Sequence, residues 1–280
     1  MPGPLMAVLF AVLTWWFTTG IILYLDSLPP RTFPRSMAGA TLVTLAAMAG
    51  LRAGSLDPTA TGSYAGFICA VLIWGWLEMS FLMGFITGPR KRGCHEGCRG
   101  LPHFLHATAA ILHNELMTLG GGVLVWALSA QGGNKTGLWT FGVLWTMRLS
   151  AKLNLFLGVA NSGENLLPPH LQYLKSFFRK RRMNPLFPVS VTAGAAGTLM
   201  LAQEAMLATA DHERVGLTLV ASLLALATLE HWFMVLPWDT ERMWTWMQVS
   251  RGKRRKPASL GSHYKAGTPA AKVPTAKAPG

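Results

Sequence analysis

Seven charged or imidazole side chains interrupt long apolar stretches: Glu78, His113, Glu115, Arg148, Lys152, Glu230 and His231. Asn154 and Asn161 add amide groups to the same set. Ionisable residues inside apolar spans are costly and mark functional sites by default, unless they pair with one another. Arg148 and Lys152 stand four residues apart and share a helix face. Three carboxylates face two cations, so a structural ion-pair network is the simplest reading of Glu78, Glu115, Arg148, Lys152 and Glu230. A pocket for a ligand, a pigment or a partner helix is the second, and catalysis by the Glu/His/Arg/Lys group the third.

Metal chemistry is poorly served by these spacings. A di-iron site needs Glu-x-x-His pairs on facing helices. His113-x-Glu115 and adjacent Glu230-His231 do not project both groups along one face, and histidine boxes are absent. His106 and His113, seven residues apart, share a face and could offer an axial ligand to a tetrapyrrole metal, although such imidazoles more often donate a hydrogen bond within the bundle. Cys94-His95-Glu96-Gly97-Cys98, with His103 following, gives one cysteine pair where zinc normally takes four ligands. No metal is therefore expected, and Cys94 and Cys98 remain its weak candidates. Glu204 has no evident partner at its depth.

The elements that hold these groups are membrane helices. Of 280 residues, 51% are hydrophobic and 13% charged, about half the charge of a soluble domain. The chain has 11 Trp and 14 Met, and a net charge of +13. That charge lies in short runs between apolar stretches and not on one face of a folded domain, which argues against nucleic acid as a partner. Three cysteines make no disulfide framework.

Apolar stretches long enough to span about 30 Å of hydrocarbon occupy about 5–25, 36–52, 62–88, 105–130, 136–159, 188–209 and 214–237. The first lacks a basic leader region and a cleavage site and reads as a retained span. The fifth contains Arg148 and Lys152 and is doubtful by hydropathy alone. Loop charge supports it: with seven spans, twenty Lys and Arg fall in one compartment and three in the other. The positive-inside rule then places the N-terminus outside and the C-terminus in the cytoplasm. The expected fold is all-α, a seven-helix membrane domain over 1–240. In it the polar groups gather at one depth in the inner half of the bilayer.

Two further segments have their own character. After Pro168-Pro169, Leu171, Leu174, Phe177 and Phe178 lie opposite Lys175, Arg179 and Arg181, which predicts an interfacial amphipathic helix over about 169–182. Residues 241–280, basic and rich in Lys, Ala, Pro and Gly beyond 250, are expected to form a largely disordered cytoplasmic tail. Gly120-Gly121-Gly122 and Ala193-Gly194 with Gly197 are small-residue patches suited to close helix packing.

Several long strings carry a family likeness: WWFTTGIILYLDSLPPRTF (15–33), WGWLEMSFLMGFITGPR (74–90), LWTMRLSAKLNLFLGVAN (144–161), LPPHLQYLKSFF (167–178), MNPLFPVSV (183–191) and LEHWFMVLP (229–237). By these the chain resembles PuhE, a photosynthetic-complex assembly family of purple phototrophic bacteria. The resemblance implies a multi-pass protein of the inner membrane that supports assembly of reaction-centre and light-harvesting complexes. It implies reaction-centre and antenna subunits or other assembly factors as partners alongside the lipid bilayer, and bacteriochlorophyll as the cofactor to consider. It brings no catalytic residues. Glu78, Arg148, Lys152, Asn154, Glu230 and His231 fall inside the matching strings, whereas His113 and Glu115 do not. The competing expectation is an integral-membrane enzyme acting on an isoprenoid or tetrapyrrole precursor through the polar cluster, with transport as a third.

Overall fold

The computed structural model describes residues 3–95, 97–164 and 167–236. Among them are seven α-helices: α1 (Pro4–Ser27), α2 (Phe33–Leu56), α3 (Ala60–Leu82), α4 (Gly100–Ser129), α5 (Thr136–Leu157), α6 (Leu186–Leu207) and α7 (Asp211–Phe233). The described residues hold no strand, only an isolated bridge between Val159 and Lys180. The whole of the expected tail, 241–280, lies outside the described residues.

Six helices are long and apolar enough to cross a membrane, as in a multi-pass membrane protein. The exception is α5, which is 22 residues long but has Arg148, Ser150, Lys152 and Asn154 at every second position of its second half. Its polarity is matched by its place in the bundle, between α3 and α4 on one side and α6 and α7 on the other.

Loops alternate between the two ends of the bundle. At one end the Asn134 amide nitrogen donates to Ser55 O (3.0 Å), its side chain to Asp57 O and Ser63 Oγ, and Ser63 Oγ to His212 O. At the other, Arg179 N donates to Leu155 O, Asn161 N to Met234 O and His170 meets Leu82 O. Thus α5 runs the length of the bundle from Thr136 at the first end to Leu157 at the second.

The interior belongs to α3 and α7, with about half of their apolar windows buried (56% and 50%), against about a fifth for α1, α4 and α6. Lipid tails are as apolar as leucine, so close packing has to hold such helices together. Small residues permit it. A Cβ on Gly54 would stand 2.9 Å from Gly62 O, drawing α2 onto α3, and one on Gly137 would stand 2.8 Å from Gly66 O, drawing α5 onto α3. Gly194 packs on Thr228 between α6 and α7. In the triple-glycine run of α4, Gly121 and Gly122 sit against Phe141, while Gly120 faces open space.

Two segments depart from the sequence expectation. The third apolar stretch, expected to run to 88, ends as helix at Leu82. Gly84, at φ +80°, turns the chain, and the Phe85 and Ile86 N–H groups both return to Ser80 O. The chain then docks on the middle of α4: Asn114 N donates to Thr87 O (2.9 Å), and Gly88 lies against the Ala109 and Ala110 carbonyls with no room for a side chain. The segment expected as an amphipathic α-helix is a 3-10 helix, Pro169–Phe177. Its repeat of three puts Leu171, Leu174 and Phe177 on one buried face, packed with Phe81 of α3 and Ala110 of α4. Phe178 follows the helix and is half-buried.

Candidate functional site

The polar residues of α5 divide into two stripes. Arg148 and Lys152 stand one turn apart; Ser150 and Asn154 repeat the interval two residues on, about 200° around the helix. The cation stripe meets α3 and α4. Arg148 Nη2 pairs with Glu78 Oε2 at 2.7 Å and Lys152 Nζ with Glu115 Oε1 at 2.5 Å. Lys152 also lies 5.6 Å from the centre of the Phe81 ring. Glu230 of α7 is exposed beside this group, its carboxylate toward Trp15 of α1 and within the field of Arg148 and Glu78. The cluster is not sealed: the Arg148 side chain is 35% and that of Glu115 24% accessible at the bundle surface.

The second stripe is a hydrogen-bond network of neutral groups facing α6 and α7. His231 Nδ1 lies 2.8 Å from Ala227 O, an acceptor only, so the proton sits on Nδ1. Nε2 then accepts from Ser150 Oγ at 2.9 Å. Ser190 Oγ stands 3.0 Å from Ser150 Oγ and accepts from Asn154 Nδ2 at 3.1 Å. Asn184 Nδ2 donates to Asn154 Oδ1 and Gly158 O, both at 3.0 Å, while its Oδ1 accepts the Leu186 and Phe187 N–H groups at the start of α6. Asn154 and Asn184 are fully buried.

The expected single cluster is therefore two. Glu78, Glu115, Arg148, Lys152 and Glu230 come together; Asn154 and His231 belong to the neutral network; Asn161 ties the 158–164 loop to the end of α7 by donating to Phe233 O. His113 joins neither. It is exposed, because two residues along α4 from Glu115 turns it to the opposite side, where it faces out beside buried Asn114. His106 does not share its surroundings: the imidazole Nδ1 lies 3.5 Å from both Cys94 Sγ and Cys98 Sγ. His103, the imidazole first associated with those cysteines, instead stacks on Phe156 at 5.3 Å. Glu204 is exposed on α6.

An open groove of about 530 Å³ runs between α1 and α6 over α7, lined by Val8, Val12, Ala202, Ser222 and Leu226 among others. Glu78, Arg148 and Glu230 are not part of its lining.

Residues 1–255 match the family model described as "Protein of unknown function (DUF3623)". The chain belongs to the DUF3623 family. A relative from Rhodobacter capsulatus, described as "Uncharacterized 30.4 kDa protein in puhA 5'region", is 37% identical over 254 residues, covering 89% of this chain and 93% of that protein. No solved structure matches.

In this DUF3623 chain the residues that sequence reasoning passed over are Ser150, Ser190 and Asn184. Serines are common in membrane helices and Asn184 lies in a loop, so nothing in their types singles them out. The spacing of Ser150 and Asn154, parallel to that of Arg148 and Lys152, is the signal that could have found the first.

Proposed function

We propose that this protein is a membrane-embedded assembly factor for photosynthetic reaction-centre and light-harvesting complexes, a PuhE-type protein of the cytoplasmic or intracytoplasmic membrane. The observation that carries this reading is the 37% identical Rhodobacter capsulatus relative, whose description places it in the puhA 5' region. All seven helices cross the bilayer, with the N-terminus outside. Support for that orientation comes from charge: the end formed by the α1–α2, α3–α4 and α5–α6 connections bears eleven Lys and Arg before residue 237, the other end only Arg52, Lys135 and Arg214.

In this role the α3–α4–α5 ion-pair cluster is the docking surface. A charge pair partly open at the flank of a bundle is stable in lipid and still offers hydrogen bonds to a polar group on an arriving helix or pigment. The basic inner end meets the anionic leaflet and newly inserted subunits.

Co-purification tests the proposal. Tagged full-length protein, gently solubilised from phototrophic cells after mild crosslinking, should carry reaction-centre or antenna subunits or bacteriochlorophyll. Deletion of its gene should lower the near-infrared absorbance of the assembled complexes. Preparations free of subunits and pigment, with wild-type complex levels in the deletion strain, would overturn it.

A further inference from the structure

The α3–α4 loop brings together three soft ligands that the ion-pair cluster does not use. Cys94 and Cys98, four residues apart, both face His106 in the second turn of α4, and all three are half-buried. The loop is built to hold them. Gly97 (φ +85°) and Gly100 (φ +64°) supply the two left-handed turns that fold the chain back on α4, and Cys98 N donates to His95 O. Cys94 N accepts no freedom of its own: it donates to Ser176 Oγ at 2.9 Å, which fixes the loop to the 3-10 helix.

The distances carry the argument. Each sulfur stands 3.5 Å from the same nitrogen, His106 Nδ1, and the three ligand atoms lie within 4.8 Å of one another. A neutral imidazole nitrogen has one in-plane lone pair, so it cannot accept a full S–H hydrogen bond from both cysteines. One tetrahedral cation satisfies all three atoms. Zinc bond lengths of about 2.3 Å to sulfur and about 2.0 Å to nitrogen place sulfur and nitrogen about 3.5 Å apart.

We propose that Cys94, Cys98 and His106 form a zinc site that joins the α3–α4 loop to α4. Two thiolates and an imidazole suit zinc over the hard cations magnesium and calcium. Both thiols lose their protons on binding and the imidazole binds as the neutral base. The fourth position is open to water or to exposed His95, whose ring centre lies 6.3 Å from that of His106.

The test uses detergent-solubilised full-length protein, stripped with chelator under reductant and titrated with zinc(II) or cobalt(II) alone. One equivalent of zinc should be retained through desalting, and cobalt should give a thiolate-to-metal charge-transfer band displaced by zinc. C98S and H106A should lose both signals, while H95A and H103F keep the charge-transfer band. Folding of each variant is checked by its monodisperse elution. Well-folded wild-type protein that retains no zinc and gives no charge-transfer band would sink the proposal. So would C98S or H106A protein that binds like wild type, or a reduced protein that re-forms a Cys94–Cys98 disulfide in the presence of zinc.

Discussion

Arg148 on α5 and Glu78 on α3 meet at 2.7 Å, and two residues further along α5 the polar side chains point to the opposite flank. One helix thus serves as an ionic partner on one side and as a neutral hydrogen-bond partner on the other. This arrangement lets a segment with Arg148 and Lys152 near its middle lie within an apolar bundle. On α5, Arg148, Ser150, Lys152 and Asn154 each have a partner on another helix, so none of these four is left to face hydrocarbon alone.

The ion pair should behave as a unit. Glu78→Gln or Arg148→Met alone strands one charge and should lower stability by about 3 kcal/mol, because the open flank of the pair faces lipid and not screening water. The double variant should recover most of the loss. Unfolding free energies in mixed micelles, arranged as a double-mutant cycle, check this; additive losses would mean the two residues are not coupled.

The neutral network should be less forgiving than its lack of charge implies. Asn154→Leu leaves the buried Asn184 amide without its Oδ1 partner and Ser190 without a donor. A cost of about 1–3 kcal/mol follows from the unsatisfied groups, read in the same unfolding assay. Ser222→Ala, whose hydroxyl donates to Thr218 O within its own helix, serves as the near-neutral comparison.

Glycine substitutions should separate by contact. Gly88→Ala places a methyl group into the backbone carbonyls of Ala109 and Ala110 and should abolish stable accumulation in the membrane. Gly120→Ala, which meets nothing within 4 Å, should accumulate like wild type. Quantitative immunoblots of membrane fractions distinguish the two.

Topology can be read with reporter fusions. Alkaline phosphatase joined after Pro58, Gly133 or Thr209 should be active, and joined after Arg92 or Arg181 inactive. The decisive comparison is Gly133 with Arg181, which flank α5. Equal activity at those two sites would mean that α5 does not cross the membrane.

By itself the sequence determined that the chain is a series of long apolar helices and that its Lys and Arg gather in the short loops between them. Both follow from local chain properties: apolar length against bilayer thickness, and Lys and Arg in short loops. From the sequence, Glu78, His113, Glu115, Arg148, Lys152, Asn154, Glu230 and His231 form one polar group, because such residues at similar depth have few partners other than each other; the fold divides that group. Tertiary structure alone decided the rest. The division of α5 into two stripes depends on which neighbours flank it, and the exposure of His113 depends on which face of α4 meets α5. The turn at Gly84 and the burial of the 3-10 helix arise because the 83–90 segment finds hydrogen bonds on α4 that continued helix would not provide. Likewise the sequence pairs Cys94 and Cys98 by spacing, but only the fold of the loop selects His106 over His103 as the imidazole they face.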